Sequence, residues 1–329
     1  MDTQIQGAFS ARDLIRLAKE RPPTPIVDGL LNEGDILLIH GSEESYKSVF
    51  VVQLGESIAG GTPFLRRWQV IGARRVGIIE TEMHPASMGE RLGKMFLGTD
   101  VPESLLFMNE ERLQEWRRGN MAEKFRIIKE WVDQNGIEVL MIDTANDFFR
   151  GTSDPSVEKD VGEFFDRLRG LRMKGTILVR HDRKRREIDD ISHSNELIRG
   201  SAEWKEDPET IVHIKRLDKR THEVEMEVGK LRYGRKPEPM KLWFDSDNFR
   251  LTPLPPVIAL AEEGQITREA IIDQGQRFGL ATRTLDSQIA LNRQFLRETK
   301  KGHETVFEIN REACAEADWA EYLSPRSAR

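Results

Sequence analysis

Ile36-Leu37-Leu38-Ile39-His40-Gly41-Ser42-Glu43-Glu44-Ser45-Tyr46-Lys47-Ser48 passes from an apolar strand pattern through a loop into a segment, Val49 to Ala59, that reads as a helix. Strand, loop, Lys-Ser and helix is the arrangement in which backbone N–H groups and a helix N-terminus cradle phosphates. The octet Gly41–Ser48 departs from G-x-x-x-x-G-K-[ST] at one position, where Tyr46 stands in place of the second glycine. Glycine there relieves crowding as the loop becomes helix, and a tyrosine with negative φ would fit the same turn. The substitution is therefore expected to change the loop without forbidding a nucleotide. Lys47 is expected to reach the β- and γ-phosphates of ATP, and the Ser48 hydroxyl to help hold Mg²⁺. Gly41, Ser42, Glu43, Glu44, Ser45, Tyr46 and Val49 would line the same nucleotide. The bland alternative is a Lys-Ser pair that starts a helix by chance.

Outward from this octet, short apolar runs alternate with helical patterns. The runs are 36–39, 76–79, 139–142 and 176–179; the helices fall at about 48–60, 85–96, 121–135 and 157–173. Continuous apolar strands separated by helices argue for a parallel sheet covered on both faces. Later runs at 210–214, 223–231 and 241–244 follow turn-like or basic segments and read as an antiparallel extension. A helical pattern from Phe9 to Lys19, with Ser10 as N-cap, ends at Arg21-Pro22-Pro23. Leu251-Thr252-Pro253-Leu254-Pro255-Pro256 is the best linker candidate. Beyond it come helices at about 257–263, 267–278 and 282–298 and a short strand at 305–309. Domains are expected at 1–25 (an arm), 26–252 and 253–329.

The 329 residues suffice for one large domain and a small one, and 38% apolar against 32% charged residues describes a soluble, heavily charged globule. No apolar run approaches the length of a bilayer span, and the N-terminus lacks a signal-peptide pattern, so a cytoplasmic protein with no membrane partner is expected. One cysteine, Cys314, excludes an intrachain disulfide. A net charge of −6 gives no global sign of nucleic-acid binding. His181, His193, His213 and His222 lack metal-ligand spacing, and no G-x-S-x-G elbow occurs. The tryptophans read as packing residues.

Two carboxylate sites accompany the octet. Val139-Leu140-Met141-Ile142-Asp143 is an apolar strand ending in an aspartate suited to the Mg²⁺ shell, although a strand-end aspartate can equally be a cap. Ile78-Ile79-Glu80-Thr81-Glu82-Met83-His84-Pro85 places two glutamates at a strand's C-terminal edge, on the same side by alternation. One of them would polarise the attacking water.

Together these motifs resemble the RepA-like hexameric ATPases of the RecA/DnaB superfamily, over roughly residues 24–250. Pro25-Ile26-Val27-Asp28-Gly29-Leu30-Leu31 is similar to the family's lead-in to the P-loop strand, and Asp143-Thr144-Ala145-Asn146-Asp147 to its Walker B segment. The resemblance implies a RecA-like P-loop NTPase with a parallel central sheet and an antiparallel extension, an α/β fold. It places the catalytic glutamate at Glu82 and a γ-phosphate-sensing histidine at His181. Arg199-Gly200-Ser201-Ala202 resembles an element near subunit contacts. Lys230 and Arg232, in Lys230-Leu231-Arg232, resemble the cations that one subunit supplies to its neighbour's ATP; read alone they are strand-edge charges. The resemblance also implies a homo-oligomer, a hexameric ring, acting on single-stranded or forked DNA with a replication-protein partner.

DNA contacts would come from the loops after the third and fourth strands. The second loop holds Arg183-Lys184-Arg185-Arg186, four cations suited to phosphates or a solvated cluster balanced by nearby acids. Phe148 and Phe149 are candidates for base stacking. Residues 257–309 resemble a winged helix, a small α+β domain. Its third helix would expose Arg283, Gln288, Asn292 and Arg293 and Lys300-Lys301 would form the wing tip, for contact with DNA or, alternatively, as a protein-docking module. The expected activity is ATP-driven DNA unwinding or translocation serving a plasmid, phage or mobile element. The alternatives are an ATP-regulated DNA-binding or loading protein and a scaffold that has lost hydrolysis.

Overall fold

The computed structural model describes residues 9–20, 22–150, 153–182, 197–198, 200–217, 222–262, 266–275, 278, 282–301 and 304–314. Helix α1 (Ala11–Glu20) precedes a hairpin, β1 (Pro25–Val27) and β2 (Leu31–Asn32). The chain continues through β3 (Ile36–Gly41), α2 (Lys47–Gly60), β4 (Val76–Glu80), α3 (Pro85–Met95), β5 (Leu105–Phe107), α4 (Glu110–Arg118), α5 (Met121–Asn135) and β6 (Val139–Asp143). Next come α6 (Glu158–Gly170), β7 (Gly175–His181), α7 (Glu203–Glu206), β8 (Thr210–Arg216), β9 (Glu223–Leu231), β10 (Met240–Asp245) and β11 (Arg250–Thr252). The C-terminal unit contains α8 (Pro256–Glu262), β12 (Ile266–Thr267), α9 (Arg268–Gly275), α10 (Thr282–Leu291), β13 (Leu296–Lys301) and β14 (Glu304–Ile309).

One nine-stranded sheet, ordered β11-β10-β9-β8-β3-β7-β6-β4-β5, organises the first 252 residues. From β8 to β5 its strands are parallel; β9, β10 and β11 pair antiparallel beyond β8. The four apolar runs of the sequence are its central strands, buried throughout as strands covered on both faces must be. Helix α5 matches its predicted span because Asn120 and Glu123 form a capping box at its start and Gly136 adopts φ +61 at its end. Ser10 caps α1 as predicted, accepting from the Asp13 N–H at 3.1 Å, yet none of that helix's residues is buried.

The structure departs from the sequence reading in several places. The linker candidate begins as β11, paired with β10, and Leu251 and Leu254 are core residues. Gln53 exchanges two hydrogen bonds with the Leu251 backbone, which ties that segment to α2. The helix read as 282–298 stops at Leu291, and Leu296 opens β13; an apolar residue every few positions fits strand or helix equally over so short a span. Asn292 is buried rather than exposed. Phe148 and Phe149 are not available for bases. They pack with Trp116, Phe125, Phe164 and Trp204, and the buried Lys124 ammonium donates to the Asp147 and Phe148 carbonyls at 2.7 and 3.2 Å. Two adjacent phenylalanines after a strand read as a surface platform until the helices that enclose them are in place.

Candidate active site

Residues 41–48 join β3 to α2 at the C-terminal edge of the sheet. Gly41 is obligatory for steric reasons, since a Cβ there would stand 2.2 Å from the Ile214 carbonyl of the adjacent β8. Lys47 is buried and turned into the loop, where its ammonium donates to the Ser42 carbonyl at 2.6 Å and meets the Ser45 hydroxyl at 3.4 Å. Burial lowers its pKa, and Asp143 is the first of the nearby charges that oppose this. The first amides of α2 face the same hollow, which forms an anion cradle.

Tyr46 does not take the negative φ expected of it. Its φ is +65 and ψ +22, the left-handed conformation of the glycine it replaces, and Glu44 at φ +59 shares that sign. Tertiary contacts hold the tyrosine there. Its ring stacks on Phe244 of β10 at 4.3 Å and 20°, meets His222 edge-on, and lies under the Arg216 guanidinium at 5.6 Å. Arg216 also pairs with Glu44 at 3.8 Å. The antiparallel extension thus forms one wall of the loop.

Asp143 ends β6, buried beside the Ser48 hydroxyl, which hydrogen-bonds to its carboxylate. Burial raises the pKa of Asp143, and the Ser48 bond opposes the shift. Among the described residues its Oδ2 has no hydrogen-bond partner. An orphaned carboxylate oxygen and a hydroxyl at the mouth of an anion cradle form an all-oxygen donor set, which fits Mg²⁺.

Glu80 and Glu82 part company, because β4 ends at Glu80 and strand alternation ends with it. Glu80 is buried and accepts from the Glu82 and Met83 amides at 2.8 and 3.1 Å. Burial first, and the Asp143 charge second, push its pKa up to about 7. Glu82 is half-exposed and meets His181 Nε2 at 3.1 Å, and that bond holds its pKa below the usual range. Glu82 is therefore the ionised carboxylate of the pair. The turn that carries it is anchored by Arg117, which donates to the Thr81 carbonyl at 2.9 Å, and by the Thr81 amide on Asp143 O at 2.8 Å.

A family model described as an AAA domain matches residues 7–187. The chain belongs to the AAA domain family. Solved structures give this AAA domain its fold. A DnaB-like replicative helicase, solved for its interactions with primase, aligns with a TM-score of 0.53 and 12% identity, over 74% of this chain and 67% of that one. A further ATPase domain, solved by itself, aligns at 0.52 and 11%, over 74% and 96%. The KaiC-like protein PH0186 of Pyrococcus horikoshii aligns at 0.50 and 14%, over 70% and 94%. No curated protein matches the chain. The AAA domain is thus an α/β RecA-like P-loop fold with a mostly parallel central sheet.

Other sequence-predicted residues lie away from this cradle. Lys230 donates to the Lys205 and Glu206 carbonyls at 2.9 and 2.7 Å; Arg232 bonds Glu209 at 3.1 Å and Glu206 O at 3.2 Å. The Arg232 amide donates to Glu209 O, and the Glu209 amide to Ile36 O. Arg232 is therefore level with the start of β3, about 16 Å of strand from Gly41. Neither cation reaches its own subunit's cradle. Arg183, Lys184, Arg185, Arg186 and Arg199 lie outside the described residues, as do the side chains of Arg283, Gln288 and Lys301. Arg293 is exposed and paired with Glu298 at 2.9 Å, and Lys300 is exposed. Sequence reasoning missed a cleft beside the cradle lined by Ser48, Val49, Val52, Met88, Arg91 and Phe249, with the Arg91 guanidinium 5.0 Å above the Phe249 ring. No spacing in the sequence links positions so far apart. Among the described residues no helix is long and apolar enough to cross a membrane.

Proposed function

We propose that this AAA domain protein is an ATP-hydrolysing, DNA-acting oligomer, a helicase or translocase serving replication of a plasmid, phage or mobile element. The observation that carries the reading is the Glu82–His181 pair, which stands on the sheet edge that also presents Lys47, Ser48 and Asp143. Lys47 and the α2 amides bind the β- and γ-phosphates. Ser48 and Asp143 are the residues that would hold Mg²⁺, which when bound neutralises charge on the phosphate oxygens. Glu82, kept ionised, orients the attacking water and takes its proton. His181, bonded to Glu82, senses whether the γ-phosphate is present. Lys230 and Arg232, too far from their own cradle, serve that of a neighbouring subunit, which requires an oligomer such as a hexameric ring.

For the C-terminal unit, we read the order α8, β12, α9, α10 and hairpin β13–β14 as a winged helix. Arg283, Arg293, Lys300 and Lys301 would contact DNA there, and Arg183–Arg186 would meet single-stranded or forked DNA in the channel. The primase in the description of the DnaB-like structure suggests a replication protein as partner. A cytoplasmic setting accords with this reading.

The test is strand displacement on a forked duplex with ATP, beside Glu82→Gln and Lys47→Ala variants. Displacement abolished by Glu82→Gln with nucleotide still bound is the expected result. ATP hydrolysis without displacement sinks the helicase claim. The second reading, an ATP-regulated DNA-binding or loading protein, is favoured by Tyr46, which pins the P-loop to the β10 wall. It predicts ATP-dependent DNA retention with slow turnover, whereas absence of any hydrolysis would leave the scaffold.

A further inference from the structure

On the face of the sheet opposite α2, three strands bring their ends together beneath the P-loop. His40 of β3, level with His213 of β8, is the last side chain before Gly41. Asp182 follows β7 and reaches both. Its Oδ1 accepts from His40 Nδ1 at 2.7 Å and its Oδ2 from His213 Nε2 at 3.2 Å, while the two imidazoles stack at 4.6 Å and 10°. All three side chains are buried. The Asp182 amide donates to the carbonyl of Gly41, the first P-loop residue, at 3.0 Å, and Asp182 directly follows His181, the partner of Glu82.

This trio is also the one group among the described residues with the makings of a metal site. Its geometry is that of hydrogen bonds. Ligands on a tetrahedral Zn²⁺ with bonds of about 2.0–2.1 Å stand roughly 3.3 Å apart, and their lone pairs converge. Here each imidazole takes a different oxygen, one of them at the 2.7 Å of a charge-assisted bond, and the rings lie parallel. Two hydrogen bonds satisfy a carboxylate that burial would otherwise penalise, and hold its pKa below the usual range.

We propose that Asp182, clamped by His40 and His213, is a positioning residue that sets His181 against Glu82 and ties that pair to the start of the P-loop. The proposal rests on the ATPase reading above. Without the clamp, His181 keeps its backbone pairing to Gly41 but loses the side-chain anchor of the residue that follows it. A displacement of about an ångström at a catalytic pair is enough to cost some hundredfold in rate.

The experiment uses the full chain with Asp182→Asn, His213→Phe and His213→Gln, each checked by thermal unfolding. Asp182→Asn and His213→Phe are expected to lower kcat about 10–100-fold while affinity for a non-hydrolysable ATP analogue changes less than about threefold. His213→Gln keeps an N–H donor and should recover most of kcat. On a His181→Asn background, Asp182→Asn should add little, because it acts through His181. Histidine-labelled NMR of the nucleotide-free protein tests the same point without turnover: Asp182→Asn keeps one acceptor oxygen and should remove at least one of the two protected ring N–H signals of His40 and His213, and shift those of His181. If the wild type hydrolyses no ATP, the functional reading falls while the NMR result still decides the clamp. Unmoved His181 signals, unchanged kcat, rate losses that multiply with His181→Asn, or a stoichiometric bound transition metal released by Asp182→Asn would each overturn the proposal.

Discussion

Replacing Tyr46 with glycine restores the common P-loop pattern and should nevertheless weaken the protein. The left-handed conformation of Tyr46 costs about 1–2 kcal/mol relative to glycine, and the substitution returns that amount. Against it stand the stack on Phe244, about 0.5–1.5 kcal/mol, the Arg216 contact, about 0.5–1 kcal/mol, and burial of about half an aromatic ring, about 1 kcal/mol. Glycine also loses about 0.5–1 kcal/mol more backbone entropy on folding. The contacts exceed the strain, and Tyr46→Gly should destabilise by about 1–2.5 kcal/mol. Urea unfolding of Tyr46→Gly, Tyr46→Ala, Phe244→Ala and the Tyr46→Ala/Phe244→Ala double variant measures this directly. The double-mutant cycle should give a coupling near 1 kcal/mol. Nucleotide affinity should fall with stability, because the loop loses the wall that shapes it. A Tyr46→Gly protein as stable as the wild type, or a coupling within about 0.3 kcal/mol of zero, would refute the reasoning.

Glu80→Gln should stabilise the nucleotide-free protein in a pH-dependent way. The native pKa is raised from 4.5 to about 7, so between those values the folded state binds more protons than the unfolded chain and stability falls as pH rises. The neutral glutamine escapes this loss; its advantage should grow from nothing near pH 4.5 to about 3 kcal/mol above pH 7, and a pH-independent difference in urea midpoint would contradict it. Lys124→Ala removes the ammonium that satisfies two buried carbonyls and leaves a cavity under Trp116, so a loss of about 2–4 kcal/mol is expected in thermal unfolding. Arg250 binds Glu56 through two bonds of 2.7 Å and the Met95 carbonyl as well; Arg250→Lys should cost about 1–2 kcal/mol, read as a lower melting temperature. Arg232→Ala should abolish ATP turnover while leaving nucleotide affinity unchanged, and subunits carrying Arg232→Ala mixed with Lys47→Ala subunits should regain part of it. No recovery on mixing would remove the neighbour-supplied cation.

The four central strands were legible in the sequence because strands buried on both faces must be almost wholly apolar, and such runs stand out between amphipathic helices, whereas their order in the sheet was not. Also legible were the octet at 41–48, Asp143 at the end of its strand, and the span of the helix at 121–135. Each is a local pattern whose partners lie within a few residues. Conformation at Tyr46 was not legible, because its φ is decided by Phe244, His222 and Arg216, some two hundred residues away. Nor was the division of labour between Glu80 and Glu82, which depends on where β4 stops and on His181 arriving from another strand. Phe148 and Phe149 show the same limit, since only the enclosing helices turn a candidate platform into core. The His40–Asp182–His213 clamp belongs wholly to the tertiary structure. Periodicity and local motif fix which elements form, whereas contacts between residues distant in sequence decide the conformation and protonation of the side chains at the P-loop.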